Sequence, residues 1–279
     1  TTDGYTLPAL AGSERTLVHI HPAPEELSRV YQTDLAICAD MAEFAESAAL
    51  WDDEAPIDFD AGAQAHAEWE EWATALPTDH ALDMGACVQF MRDTLPADTI
   101  ICNGAGNFSG WWHRYWRYEG FPTQLAPTAG AMGYGVPAAV AASRRFPDRT
   151  VVAVAGDGDF LMNGQELATA VQHGCDLIVI VIDNGAYGTI RMHQEREFPA
   201  RISATELINP DFAALAQAFG GWSARAETTQ QFKDALVAAK GRSGLRLIHA
   251  GIDIEQLAAS GASVSGLRAH ATASDPGHA

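Results

Sequence analysis

Two wholly apolar segments, each followed at once by a polar turn, constrain the fold of this chain more than any other feature. Residues 151–155 precede a Gly-Asp-Gly-Asp turn at 156–159, and residues 177–182 precede an Asp-Asn-Gly turn at 183–185. Strands that are apolar at every position are typical of a parallel sheet with both faces covered. A single helix-length segment joins them. We therefore expect neighbouring strands with both turns at the carboxyl edge, where such sheets bind ligands.

The two turns carry side chains suited to a hard cation that holds a phosphate. Asp157 and Asn184 offer carboxylate and amide oxygens, and the adjacent glycines let a ligand approach the backbone closely. Taken singly, each turn has a simpler interpretation, because an Asp can cap the next helix and an Asn-Gly pair can be an ordinary turn. Their occurrence after two neighbouring strands favours a ligand site.

Strands and helices alternate from residue 81 onward. This alternation predicts an α/β fold in which a parallel sheet has helices on both faces. The pattern predicts strands over residues 99–102, 151–155, 177–183, 221–226 and 245–250, and helices over residues 83–95, 130–146, 160–172, 210–219 and 229–240.

The sequence before residue 81 has a different organisation. Residues 1–50 hold two short strand-like segments and one helix, which is too little to form a core alone. An acidic segment with a short helix over residues 63–76 follows and predicts a linker. Because the chain does not begin with Met, we expect it to be a portion of a longer protein. The predicted organisation is residues 1–50 as the end of another domain, 51–80 as the linker, 81–259 as the main domain and 260–279 as a flexible tail.

The composition argues against several classes of function. The 279 residues carry 36 acidic and 17 basic side chains, a formal net charge of -19, which argues against nucleic-acid binding. No segment approaches the roughly 20 apolar residues of a membrane span. The four cysteines are scattered without a Cys-x-x-Cys spacing, which favours a reducing, cytoplasmic location over a disulfide framework.

Four motifs resemble those of thiamine diphosphate-dependent enzymes of the acetolactate synthase-like family. The Gly-Asp-Gly turn with an asparagine turn after the next strand resembles the thiamine diphosphate fingerprint. Residues 130–139, GAMGYGVPAA, and residues 160–167, which contain FLM and QEL, resemble two further family segments. Residues 17–50 are similar to the end of the Rossmann-like middle domain of that family. The resemblance covers roughly residues 15–250 and implies the thiamine diphosphate-binding fold.

The resemblance implies a role for individual residues. Asp157, the side chain of Asn184 and the backbone oxygen of Ala186 are expected to coordinate Mg²⁺. Met132 matches the apolar residue that bends the cofactor, and the carbonyl of Gly130 is expected to accept a hydrogen bond from its amino group. Backbone amides at a helix start are expected to face the diphosphate. The cofactor-binding residues implied in this way are Asn107, Gly130, Met132, Gly156, Gly158, Asp159, Tyr187 and Gly188.

The family resemblance also implies an activity and its partners. The expected reaction is carboligation or decarboxylation of a small-molecule 2-keto acid. The glutamate that activates the cofactor is expected from an amino-terminal pyrimidine-binding domain, which is absent from this sequence, in a homodimer or homotetramer. No catalytic residue is therefore assigned within the chain. FAD binding is left open, because that site is built largely from middle-domain residues outside the sequence.

Two departures from the family pattern keep alternatives open. Asp183 stands where the family usually has an asparagine, and His193 stands where strict acetolactate synthases have a pocket tryptophan. A 2-keto acid decarboxylase or lyase without acetolactate synthase activity, or a non-catalytic cofactor-binding or assembly module, is the alternative. The basic side chains of residues 191–196 have two interpretations, contact with a substrate carboxylate or a solvated helix face. The aromatic residues 111–118 predict a pocket mouth or a subunit interface.

Overall fold

The computed structural model describes residues 16–51, 59–75 and 77–274. Its contacts divide the chain into two compact units, residues 1–65 and 66–279. The predicted domain organisation, with a linker at residues 51–80, stays a prediction, and residues 52–58 of that linker lie outside the described part of the chain.

The first unit contains a small parallel β-pair. Strand β1 (Val18–His21) pairs with strand β2 (Leu35–Cys38). Helix α1 (Met41–Ala48) follows, and the side chain of Asp40 caps it by accepting a hydrogen bond from the backbone two residues later. The two strands and the helix predicted for this segment are confirmed.

A six-stranded parallel sheet forms the second unit. Its strands are β3 (Ile100–Asn103), β4 (Gln124–Leu125), β5 (Val151–Gly156), β6 (Leu177–Asp183), β7 (Trp222–Ala226) and β8 (Leu245–Gly251), in the spatial order β4-β3-β5-β6-β8-β7. The five predicted strands are confirmed. Gly156 lies opposite Ile182, so the two polar turns lie side by side at the carboxyl edge, as expected.

Helices cover both faces of the sheet, which confirms the α/β class. Side chains of the central strands alternate between two buried clusters, with Val152 and Val154 in one and Val151 and Ala153 in the other. Burial of both faces explains why these strands are apolar at every position. In chain order, the helices after α1 are α2 (Phe59–Trp72), within which the boundary between the two units falls, and then, in the second unit, α3 (Met84–Thr94), α4 (Ser109–Tyr115), α5 (Gly135–Arg145), α6 (Asp157–Asn163), α7 (Glu166–Gln172), α8 (Gly188–Glu197), α9 (Phe212–Ala218), α10 (Thr229–Lys240) and α11 (Val264–Ser274).

None of the helices in the described ranges combines the length and the apolar character that crossing a membrane requires.

Two predicted helices have different limits in the structure. The helix predicted over residues 130–146 begins only at Gly135, because Gly130 and Gly133 have φ angles of 63° and 83° and form a turn. The helix predicted over residues 160–172 consists of α6 and α7. Helix α6 begins at Asp157, directly after β5, which places the first turn of this helix within the predicted ligand site.

The end of the chain also differs from the sequence prediction. Residues 264–274, predicted as part of a flexible tail, form helix α11. The guanidinium of Arg268 lies 2.8 Å from the carboxylate of Glu195 on α8, and this ion pair ties the helix to the second unit. The partners are 73 residues apart, so local sequence gave no indication of the contact.

Candidate cofactor and metal site

A cleft lies at the carboxyl edge of the sheet, where β3, β5 and β6 end. Ten of the eleven predicted site residues line it. Gly130 is not among its lining residues, although its turn leads to Met132, which is. The lining residues include Asn107, Met132, Gly156, Asp157, Gly158, Asp159, Asn184, Ala186, Tyr187 and Gly188. The structure therefore brings these residues together around one space, while their individual roles stay predictions.

The carboxylate of Asp157 and the amide of Asn184 converge on one point. The backbone N–H of Ala186 donates to Asp157 Oδ2 at 3.2 Å and to Asn184 Oδ1 at 3.1 Å. Asp157 Oδ1 accepts a second bond from the N–H of Gly158. Asp157 is only 3% exposed, and this burial raises its pKa to about 6. Two hard oxygen donors thus lie close together in a buried place, a donor chemistry that suits Mg²⁺.

Within the described residues, no three His, Cys, Asp or Glu side chains form a group that could hold a metal ion. The predicted ligands are one carboxylate, one amide oxygen and one backbone carbonyl, so they include only one side chain of those four types. The chemistry of these donors fits Mg²⁺, and the ion remains a proposal.

Asp159 has a structural function that the sequence did not indicate. Its Oδ1 accepts hydrogen bonds from the N–H groups of Ala105 and Gly133, so one carboxylate joins the turn after β3 to the turn before α5. A Cβ on Gly104 would lie 2.0 Å from Asp159 Oδ2, which requires glycine there. Within the described part of the chain, no group donates a hydrogen bond to that buried Oδ2 atom, and burial raises the pKa of Asp159 to about 6.

The glycines of the first turn pack against aromatic rings. A Cβ on Gly156 would lie 2.8 Å from the ring of Phe108, and a Cβ on Gly158 would lie 2.5 Å from the ring of Tyr187. A side chain at either position is therefore excluded by the protein itself. Close approach of a ligand, the reason predicted for glycine at these two positions, is therefore at most an additional reason.

Helix α8 begins at the second turn and continues the wall of the cleft. Thr189, in its first turn, accepts a hydrogen bond from the N–H of Asn107 at 2.9 Å. The side-chain amide of Asn107 lies 3.4 Å from the sulfur of Met192. These contacts connect the turn after β3 to α8, and the sequence gave no indication of them, because the partners are 82 and 85 residues apart.

Two further residues of the site were missed by the sequence. The side-chain amide of Asn209 donates to Asp157 Oδ2 and to Asp183 Oδ1, both at 2.8 Å. His249 Nε2 lies 2.8 Å from Asp183 Oδ2. Asn209 precedes a proline and reads as an ordinary loop residue, and His249 lies inside an apolar strand, so neither gave a usable signal.

The interpretations of the basic and aromatic residues are corrected by burial. Arg191 is buried in an ion pair with Glu195 at 2.9 Å, so contact with a substrate carboxylate is wrong for this residue. His193 is exposed, as a solvated helix face requires. In the aromatic segment, Trp111 lines the cleft, whereas Trp112 belongs to the buried core. The aromatic residues are therefore chiefly core residues, because packing under α3 requires large apolar side chains.

Comparison with known proteins agrees with this geometry. Residues 104–250 match the family model described as thiamine pyrophosphate enzyme, C-terminal TPP binding domain, where pyrophosphate and diphosphate denote the same group. The acetolactate synthase isozyme 2 large subunit of Escherichia coli (strain K12) is 31% identical over 251 residues, 85% of this chain and 43% of that protein. The acetolactate synthase large subunit of Lactococcus lactis (strain IL1403) is 29% identical over 218 residues, 76% of this chain and 38% of that protein.

A relative of a different activity matches at similar identity. The 3D-(3,5/4)-trihydroxycyclohexane-1,2-dione hydrolase of Bacillus subtilis (strain 168) is 32% identical over 180 residues, 61% of this chain and 28% of that protein. The chain spans less than half the length of these curated relatives.

Proposed function

The chain belongs to the thiamine pyrophosphate enzymes, as an acetolactate synthase-like C-terminal portion, and on that premise we propose that its cleft binds thiamine diphosphate through Mg²⁺. Asp157, Asn184 and the carbonyl of Ala186 are the proposed ligands. The observation that carries the proposal is the shared Ala186 N–H, which holds the Asp157 carboxylate and the Asn184 side-chain amide next to each other. Oxygen ligands of this kind leave coordination positions for diphosphate oxygens and water.

The remaining predicted residues have complementary proposed roles. The backbone amides of Gly158 and Asp159, at the start of α6, and those near Tyr187 and Gly188, at the start of α8, are proposed to face the diphosphate. Met132, in the cleft wall, is proposed to hold the bent shape of the cofactor. Asn107, Gly130 and Gly156 complete the proposed set.

The proposed reaction is decarboxylation of a 2-keto acid, alone or followed by carboligation. Bound thiamine diphosphate supplies a nucleophilic carbon for the substrate carbonyl. The chain's contribution is to fix the diphosphate, to orient the ring beside Met132 and to exclude water with the apolar wall that includes Trp111 and Ile190. The activating glutamate is proposed to come from a pyrimidine-binding domain of a neighbouring subunit, in a homodimer or homotetramer.

A second candidate is a decarboxylase or other lyase that lacks acetolactate synthase activity. It is favoured by His193, an exposed histidine at the position where strict acetolactate synthases have a tryptophan. The similar identity to the dione hydrolase also favours it. Product analysis of the full-length protein on a panel of 2-keto acids separates the two candidates, since only a synthase yields a carbon–carbon coupled product.

Calorimetric titration of the full-length protein with thiamine diphosphate tests the binding proposal. We expect binding with Mg²⁺, none with EDTA, and at least ~100-fold weaker binding for Asp157→Ala, a loss beyond that of typical outer contacts. Asp148→Ala is the matched control, because this exposed aspartate precedes the same strand, β5. Equal cofactor affinity for wild type and Asp157→Ala would exclude the proposed ligand set. Absence of any Mg²⁺-dependent binding would favour a non-catalytic module.

A further inference from the structure

We propose that Asn209 is a positioning residue that orients the carboxylate of Asp157 by lying between it and the carboxylate of Asp183. The proposal rests on the proposed function of the cleft as a Mg²⁺ and thiamine diphosphate site. It adds to that site Asn209, from the loop before α9, and His249 on β8, which contacts Asp183.

The contacts of Asn209 are unusual because one amide group serves two acids. Its Nδ2 atom lies 2.8 Å from Asp157 Oδ2 and 2.8 Å from Asp183 Oδ1. An amide NH₂ has two protons, so it can give one to each carboxylate. Asp157 and Asp183 lie at the ends of adjacent strands, where two anions would otherwise face each other and repel.

The pattern of acceptors on Asp157 shows what this bond orients. Oδ2 accepts from Ala186 N–H and from Asn209, whereas Oδ1 accepts one bond, from the N–H of Gly158. Each carboxylate oxygen can accept two bonds. With Oδ2 occupied on both sides, Asn209 fixes the rotation of the carboxylate and leaves acceptor capacity on Oδ1 for a cation in the cleft.

Other hydrogen bonds fix the carboxylate of Asp183, so that it can hold Asn209 in place. Its Oδ2 lies 2.8 Å from His249 Nε2, and its Oδ1 also accepts from the N–H of Gly185. His249 is 2% exposed and its ring packs edge-on against Phe212, with centroids 5.1 Å apart. Asp183 is therefore satisfied by protein donors. The aspartate that departs from the family pattern has its own partner on the neighbouring strand.

A simpler function for Asn209, fixing the loop, is already provided by other groups. The N–H of Tyr187 donates to the carbonyl of Thr205, and the N–H of Leu207 donates to the carbonyl of Gly185. These backbone bonds hold the loop against the second turn without any side chain. Removing the side chain of Asn209 should therefore leave the loop in place and alter the Asp157 carboxylate.

The test is the dissociation constant of MgCl₂ for the full-length protein at saturating thiamine diphosphate, measured by calorimetry. We expect Asn209→Ala to weaken Mg²⁺ binding by about 10-fold or more, the usual effect of a residue that orients a metal ligand. Gln217→Ala is the matched control. Gln217 lies on α9, and its exposed side-chain amide donates a hydrogen bond to Ser223 on β7.

A double variant separates orientation from folding. If Asn209 acts by keeping two carboxylates apart, Asp183→Asn should restore much of the Mg²⁺ affinity lost in Asn209→Ala, a non-additive result expected for residues in contact. Should Asn209→Ala fail to fold, Asn209→Ser retains one donor and should show an intermediate loss. Unchanged Mg²⁺ affinity in the Asn209 variant, or no recovery in the double variant, overturns the inference. Absence of Mg²⁺-dependent binding in wild type overturns the proposed function instead.

Discussion

Asp157 and Glu195 are both buried acids, but Asp157 accepts hydrogen bonds from neutral groups, whereas Glu195 forms ion pairs with two arginines. Asp157 is 3% exposed and Glu195 is 1% exposed. The donors to Asp157 are the neutral N–H groups of Gly158, Ala186 and Asn209, and burial raises its pKa to about 6. The guanidinium of Arg268 lowers the pKa of Glu195 to about 2, with help from Arg191.

The difference separates a structural acid from one kept available for a ligand. Glu195 has two cations of its own, so its charge is compensated within the fold and joins α8 to α11. Among the described residues, the groups that donate to Asp157 include no cation, so its negative charge can still be compensated by a metal ion. Buried charges that lack a partner are costly, which makes such an acid a candidate functional residue.

The largest expected effect is loss of stability on removal of Glu195. Glu195→Ala removes the carboxylate that pairs with Arg268 and with the buried Arg191, and breaking a buried ion pair costs about 3–5 kcal/mol. Urea unfolding followed by circular dichroism measures this loss. Glu197→Ala, an exposed glutamate on the same helix, is the control and should cost little. A cost below about 1 kcal/mol for Glu195→Ala would contradict the structural function assigned to Glu195, and with it the difference from Asp157.

Cofactor binding should stabilise the fold through Asp157 and independently of Glu195. At about 100 times its dissociation constant, thiamine diphosphate with Mg²⁺ should add about 2.7 kcal/mol to the free energy of unfolding. Glu195→Gln should show the same increment from its lower starting stability, and Asp157→Ala should show none. Thermal unfolding with and without the ligands measures each increment. A lost increment in Glu195→Gln would mean that both acids serve the cleft.

A smaller loss is expected when one of the two cations is removed. Arg268→Ala leaves Glu195 paired with Arg191, and the lost charge-assisted bonds should cost about 1–2 kcal/mol because Arg268 is partly exposed. Backbone amide exchange in α11 should accelerate, while cofactor affinity should remain as in wild type. Arg268→Lys, which keeps the charge, is the matched control. Unchanged exchange in α11 would show that other contacts hold this helix.

A further expected effect is the pH dependence of stability that Glu195 adds. Its folded-state pKa of about 2 lies below the ordinary value of 4.5, so its contribution is complete above pH 4.5 and is lost as pH falls toward 2. The stability difference between wild type and Glu195→Gln should therefore narrow over this range. Urea unfolding at several pH values measures it, with Glu197→Gln as reference. A constant difference would mean that Glu195 contributes by shape alone.

Sequence reasoning predicted the centre of the fold and ten residues of the cleft, because those depend on local patterns. Apolar strands, glycine turns and the alternation with helices all repeat along the chain at short range. The contacts of Asn209 and His249 were not predicted, because only the tertiary fold brings these residues to their partners. His249, for example, lies 66 residues from Asp183 in the sequence. Helix α11 was not predicted for the same reason, because its Arg268 pairs with the distant Glu195.

The sequence by itself determined that two polar turns follow neighbouring buried strands and that one carboxylate and one amide meet there. Periodicity and turn chemistry are local properties, and parallel strands bring their carboxyl ends to one edge. Only the tertiary structure decided which buried acid has cations of its own and which has only amide donors. The partners of each acid are residues distant in sequence that the fold brings close to it. Those partners determine whether the charge of Asp157 remains available for a metal ion.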